Sequence, residues 1–181
     1  MRYRRATVAG ASYFFTLVTF RRQPLFGGGK AVELFNEALR SVQARRPFTV
    51  DALVLLPDHV HAIWTLPDDD HDYATRWRRV KETFTRAYAR DHRLPEPDIG
   101  RRARGERTVW QRRYWEHLIR DDRDFVAHVE YIHYNPVRHG LVAAPRDWPY
   151  STFGQWVAYG LYEATWGADE IPQLPAWAGR E

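Results

Sequence analysis

Two apolar runs that meet at a Pro-Asp turn constrain this chain more than any other feature. PFTVDALVLL (47–56) and HVHAIWTL (59–66) are each of strand length, and only Pro57 and Asp58 separate them. They predict an antiparallel hairpin, because a two-residue turn leaves the second run no path except back along the first. Side chains alternate along a strand, so His59 and His61 share one face with Ile63 and Thr65. Val60, Ala62, Trp64 and Leu66 form the other face and are expected to look into the core. Two imidazoles on one face, about 7 Å apart by strand rise, need a reason to be there.

Around this hairpin the pattern changes period. SYFFTLVTF (12–20) reads as a first strand from its aromatic and β-branched content. Val32, Phe35, Leu39 and Val42 recur at helical spacing between 30 and 45, and Trp77, Val80, Phe84 and Tyr88 do so between 75 and 90, with Arg76, Arg79 and Arg90 off that apolar side. The segment 91–107, with its prolines, glycines and arginines, reads as a loop. TVWQRRYWEHLI (108–119) predicts a fourth strand, in which Trp110, Tyr114 and Trp115 are expected to be core residues. Asp121 or Asp122 caps a third helix that is expected to end at Asn135, before Pro136. The order β-α-β-β-α-β followed by a helix is α+β, the split βαβ arrangement of ferredoxin-like folds. The expected organisation is a basic N-terminal arm (1–10), one domain (11–153) and a C-terminal tail (154–181).

Composition narrows the chemistry. The chain has no cysteine, which excludes disulfides, thiolate metal sites and a cysteine nucleophile, and leaves nitrogen and oxygen as the only metal ligands. No apolar run is long enough to span a bilayer, and the basic N-terminus lacks the apolar stretch of a secretory signal, so a cytoplasmic location without membrane contact is expected. The net charge of +4 hides a strong asymmetry: residues 76–113 carry thirteen Lys or Arg against five Asp or Glu, and residues 1–22 carry five arginines and no acid. Basic concentrations of this kind suit a polyanion such as nucleic acid, although a solvated basic helix face has the same signature.

The helix DDRDFVAHVEYIHYNP (121–136) gives the histidines a context. At about 100° per residue, Phe125, Val129 and Ile132 centre an apolar face, and Asp124, His128, Tyr131 and Asn135 fall in a band beside it. Packing that apolar face on Leu53, Leu55 and Ile63 would bring the polar band next to His59 and His61. A divalent cation held by two imidazoles and an amide oxygen can polarise a phosphoryl group, and a phenol oriented beside it can act as nucleophile. The product, a phosphotyrosine diester, is close in energy to the bond it replaced, so cleavage can be run backwards as joining. The plainer readings are a polar pair on a solvated strand and an asparagine that merely precedes a proline turn.

LPDHVHAIWTLP together with RGERTVWQRRYWEHLIRDDRDFVAHVEYIHYNPVRHGLV resembles the REP-associated tyrosine transposases, the domesticated branch of the single-tyrosine HUH transposases. The likeness runs from YRRA (3–6) through DWPYSTF (147–153). It implies an HUH endonuclease core in which His59, His61 and Asn135 hold Mg²⁺ or Mn²⁺, Tyr131 is the catalytic nucleophile and His128 stands just behind the ligands. The implied activity is endonucleolytic cleavage and strand transfer on single-stranded or hairpin DNA of REP elements, through a 5′-phosphotyrosine, in DNA transposition or recombination.

Within that frame Arg2, Tyr3, Arg4 and Arg5 are expected to grip a single-stranded guide, and Arg101, Arg102, Arg104 and Arg107 the hairpin backbone. The expected assembly is a monomer, with a dimer as the alternative. Two rival functions stay open: a catalytically silent protein that only binds DNA hairpins, and an unrelated metal hydrolase that uses water as its nucleophile.

Overall fold

A computed structural model describes residues 7–169, 171 and 172; the expected DNA contacts Arg2, Tyr3, Arg4 and Arg5 lie outside them. Four strands, β1 (Ser12–Val18), β2 (Thr49–Leu56), β3 (His59–Thr65) and β4 (Trp115–Leu118), form one sheet in the order β2-β3-β1-β4. All neighbours are antiparallel. With α1 (Gly29–Gln43) and α2 (Tyr73–Asp91) as the crossovers, this is the split βαβ topology that the order of elements predicts.

The sheet is buried on both faces. One face carries Phe15, Leu17, Leu53, Leu55, Val60, Ala62 and Trp64 against α1 and α2, where Trp64 stacks on Trp77 with ring centroids 3.7 Å apart. The other carries Phe14, Ala52, Val54, Leu56 and Ile63 against Val129, Tyr131 and Ile132 of α4 (Asp122–Arg138).

The expectation that Leu53 and Leu55 lie under this helix is therefore corrected. The two-residue turn pairs Leu56 with His59, Val54 with His61 and Ala52 with Ile63. Directly paired residues share a face, so the even positions of β2 join the odd positions of β3.

Further expectations are revised. The helix does not stop at Asn135: α4 continues through Pro136 to Arg138 and ends at Gly140, whose φ of 67° favours glycine. Proline denies the Ile132 carbonyl a partner, but the chain recovers at once, with His139 N–H donating to Asn135 O at 3.0 Å and Leu141 N–H to Pro136 O at 2.9 Å.

Strand β4 is only four residues long, because Trp110 turns into the α1/α2 core and forms an isolated bridge with Thr19. Trp115 is 48% exposed instead of buried, since α4 lies mainly over β2 and β3. The loop 91–107 contains a short helix, α3 (Ile99–Ala103), capped by Asp98.

Arg76, which the helical spacing sets off the apolar side of α2, is buried. It donates four hydrogen bonds, to Asp70 and to the carbonyls of Arg46, Pro47 and Asp72, which makes it a structural cation.

Residues 148–152 run along the outer edge of β2: Leu55 N–H donates to Tyr150 O and Thr152 N–H to Leu53 O, and Trp148 Nε1–H reaches Leu55 O. This covers an edge that would otherwise expose ladder groups. Helix α5 (Phe153–Ala158) crosses the expected boundary at 153/154, and Trp156 and Tyr162 pack with Phe125 against the α4 side of the sheet.

Candidate catalytic site

The strand pair and α4 converge on one buried group of polar residues. His59 and His61 project from the α4 side of β3, 2% and 0% exposed, with ring centroids 4.9 Å apart and nearly perpendicular. Tyr131, on α4, lies with its ring 5.3 Å from that of His61. One turn further along the helix, Asn135 is wholly buried, and neither its Oδ1 nor its Nδ2 has a hydrogen-bond partner among the described residues. A buried amide in that state costs stability unless something else satisfies it.

Each imidazole is held from behind. Asp58, in the hairpin turn, accepts a hydrogen bond from His59 Nδ1–H. Thr16 of β1, the register partner of His61, lies with its Oγ1 2.9 Å from His61 Nδ1. Such engagement of Nδ1 fixes the ring orientation and makes Nε2 the nitrogen that would coordinate a cation.

Asp58 is itself restrained. Burial would raise its pKa, but the bonds from His59 and from Arg22, 3.1 Å away, bring it below the usual carboxylate value. Arg21 and Arg22 occupy the left-handed region at φ 54° and 52°, a conformation that costs of order 1–3 kcal/mol per residue. It persists because Thr19 donates twice to Asp58 O and Phe20 N–H donates to Val109 O.

Two imidazoles and an amide oxygen form a donor set without thiolate, which suits Mg²⁺ or Mn²⁺. The unsatisfied amide of Asn135 fits a cation held there.

His128 stands one layer back from the pair. Phe14 separates it from them, with ring centroids 4.8 Å from His128, 5.5 Å from His61 and 6.0 Å from Tyr131. Burial lowers the His128 pKa to about 4.

With His117 and Asp124 it forms a second cluster whose ligand atoms lie within 4.8 Å of one another, compatible in type with a divalent cation. In this structure Asp124 Oδ2 is taken by His117 Nε2 at 2.8 Å and by Arg120, whose backbone N–H and Nε–H both donate. Burial would raise the Asp124 pKa, but these bonds outweigh it and hold it at about 2. The cluster ties β4 to the first turn of α4, which Asp121 caps.

The expected hairpin-backbone arginines lie elsewhere. Arg101 and Arg107 line a cleft of about 630 Å³ with Arg78, Lys81, Arg86 and Arg112. The cleft borders α2, on the face of the sheet opposite α4. Arg101 is partly structural, with its guanidinium 4.5 Å from the centre of the Phe20 ring. Arg102 pairs with Glu96 at 3.3 Å and Arg104 with Glu106 at 2.8 Å.

Sequence reasoning missed Asp58 and Thr16 as supports, and it missed Arg138, whose Nη1–H donates to the Tyr131 phenol at 3.2 Å. An acid directly before the first histidine was a local sign of Asp58. Thr16 had none, since only the β1–β3 register brings it there.

Fold and site together define a ferredoxin-like domain with a histidine pair on its central hairpin and a helix-borne tyrosine beside it. No family model matches the chain. It is 40% identical over 168 residues to the REP-associated tyrosine transposase of Escherichia coli K12, covering 92% of this chain and 91% of that protein. A Haemophilus influenzae protein described as a putative REP-associated tyrosine transposase is 40% identical over 167 residues, covering 92% of this chain and 93% of its own. A solved REP-associated tyrosine transposase bound to a REP hairpin superposes with a TM-score of 0.77 at 38% identity, over 97% of this chain and 96% of that one. The chain belongs to the REP-associated tyrosine transposases. Among the described residues no helix is long and apolar enough to cross a membrane.

Proposed function

We propose that this transposase is a divalent-metal-dependent endonuclease and strand transferase that cuts single-stranded DNA beside REP-type hairpins through a 5′-phosphotyrosine at Tyr131. The observation that carries this reading is the placement of the Tyr131 ring 5.3 Å from His61, with the unsatisfied Asn135 amide one turn away on the same helix.

His59, His61 and Asn135 would hold the cation, which when bound supplies Lewis-acid polarisation of the scissile phosphate. Tyr131 Oη attacks phosphorus, the Oη–P bond forms and the P–O3′ bond breaks. The phenol gives up its proton and the departing 3′-oxygen takes one up, so the products are a 5′-phosphotyrosine and a free 3′-OH. Arg138 steadies the phenol and adds positive charge where the phosphate must approach. Burial of the Tyr131 ring between Phe14 and His61 fixes the direction of attack.

The relative solved with a REP hairpin supports DNA of that kind as the partner. Arg101 and Arg107, from the basic cleft, and Arg102 and Arg104, next to them in the chain, would neutralise the hairpin's phosphates, with Arg2, Tyr3, Arg4 and Arg5 serving an unpaired guide sequence. The chain would act as a monomer in the cytoplasm.

The test is incubation with Mn²⁺ and a labelled single-stranded hairpin substrate, followed by a denaturing gel. A covalent protein–DNA band that disappears in Tyr131→Phe is expected, and fully duplex DNA should react poorly. Cleavage that survives Tyr131→Phe would point to water as nucleophile, and tight binding without any cleavage would return the protein to a silent hairpin binder.

A further inference from the structure

Trp115 is a large aromatic side chain, 48% exposed, on the outer strand of the sheet. Its position is set by register. Thr16 of β1 pairs with His61 on one side and with Trp115 on the other, so Val54, His61, Thr16 and Trp115 form one row across the four strands. Residues in such a row project to the same face, and the bond from Thr16 Oγ1 to His61 Nδ1 fixes that face as the catalytic one. Neighbouring strands are about 4.8 Å apart, so Trp115 stands about 10 Å from His61 across the sheet.

Ring contacts link the same positions. Phe14 meets the Trp115 indole edge-on at 5.6 Å, and also meets His61 at 5.5 Å and Tyr131 at 6.0 Å. His117 lies nearly parallel to the indole, 9° apart with ring centroids at 5.8 Å, and so stacks beside it along β4. Arg113, two residues before Trp115, is exposed and adds a positive charge near this end of the strand.

We propose that Trp115, with the ring of His117 stacked beside it, is a stacking platform for an unpaired nucleobase one or two nucleotides from the scissile phosphate. The inference rests on the reading of Tyr131 and His61 as the cleavage centre. A phosphate there and a base on Trp115 are separated by roughly 10 Å, more than the ~3.4 Å rise of a stacked strand, so the strand is held unstacked across the sheet. Every base has a π-face, so the platform selects for single-strandedness next to the cut more than for sequence. The basic cleft beside α2 cannot do this, because it lies on the opposite face.

The experiment uses the full chain and a REP-type hairpin with a single-stranded flank that carries a fluorescent adenine analogue at one position at a time. Tyr131→Phe protein keeps the substrate intact. Stacking predicts strong quenching at one position within two nucleotides of the cleavage point, and Trp115→Ala removes it. In protein with Tyr131 present, Trp115→Ala weakens binding of the flanked hairpin about 10-fold or more, and Trp115→Phe restores much of the loss. Quenching unchanged by Trp115→Ala, or an equal loss of binding for a hairpin without the flank, overturns the platform. If a Tyr131-dependent adduct forms while the quench ignores Trp115, only this inference fails. If the unsubstituted chain makes no adduct, the cleavage reading fails, and with it the inference.

Discussion

Arg138 donates a hydrogen bond from Nη1 to the phenolic oxygen of Tyr131 across 3.2 Å, with its guanidinium carbon 5.6 Å from the centre of the same ring. Two turns of α4 separate the residues, so this contact exists only because the helix continues through Pro136. In the proposed mechanism a cation at the Tyr131 oxygen would assist once negative charge builds on the reacting phosphate, and it would contribute little to hairpin binding elsewhere.

Arg138→Ala should therefore lower the single-turnover rate of covalent adduct formation by about 10- to 100-fold, with hairpin affinity changed less than threefold. Arg138→Lys should recover part of the rate. A loss that appears wholly as weaker binding would assign Arg138 to DNA contact instead.

The supports behind the histidines make a separate prediction. Asp58→Asn and Thr16→Val leave both candidate ligands in place but remove what orients Nδ1. Each should raise the Mn²⁺ concentration needed for half-maximal adduct formation by about 10- to 100-fold, measured by metal titration at saturating DNA. Unchanged metal dependence in both would show that the rings are held by packing alone.

The parts of this site that could be read from the sequence were those with a short repeat. Alternation along β3 put His59 and His61 on one face, and helical periodicity aligned Asp124, His128, Tyr131 and Asn135. The misplacement of Leu53 and Leu55 came from parity across the turn, because the odd sum of paired positions swaps even for odd between the strands. Pro136 was misread because a proline near a helix end deletes one bond without preventing the next turn. Thr16 and Trp115 were illegible for a different reason: their importance comes from β1 lying between β3 and β4, and no local pattern encodes that order.

Phe14 is the ring that holds these separate pieces at their distances. It is 1% exposed and touches His61, Trp115, His128 and Tyr131. Phe14→Ala should cost about 3–5 kcal/mol of stability, a fall in Tm of roughly 6–20 °C, read by thermal denaturation. Phe14→Leu keeps most of the volume and should lose far less stability, yet should still slow cleavage through a loosened Tyr131. If Phe14→Leu matches the unsubstituted rate, the ring's role is packing only.

Acid should act on the layer behind the site before it acts on Asp124. Burial among Phe14, His117 and Asp124 holds the His128 pKa at about 4, against about 6.5 in an unfolded chain. Between those values the unfolded chain binds a proton that the folded chain excludes. The associated stability is complete above about pH 6.5 and is lost as pH falls toward 4, to a limit of about 3 kcal/mol. Asp124, held at about 2 by His117 and Arg120, keeps its contribution until pH drops below about 3.9, the unfolded value. The two windows are therefore separable. His133, lowered by burial to about 3, adds to the upper window, so His128→Gln should flatten the decline between pH 6.5 and 4 without abolishing it. Urea unfolding of the two proteins at half-unit pH intervals gives the comparison, and parallel curves across that range would mean that His128 exchanges its proton equally in both states.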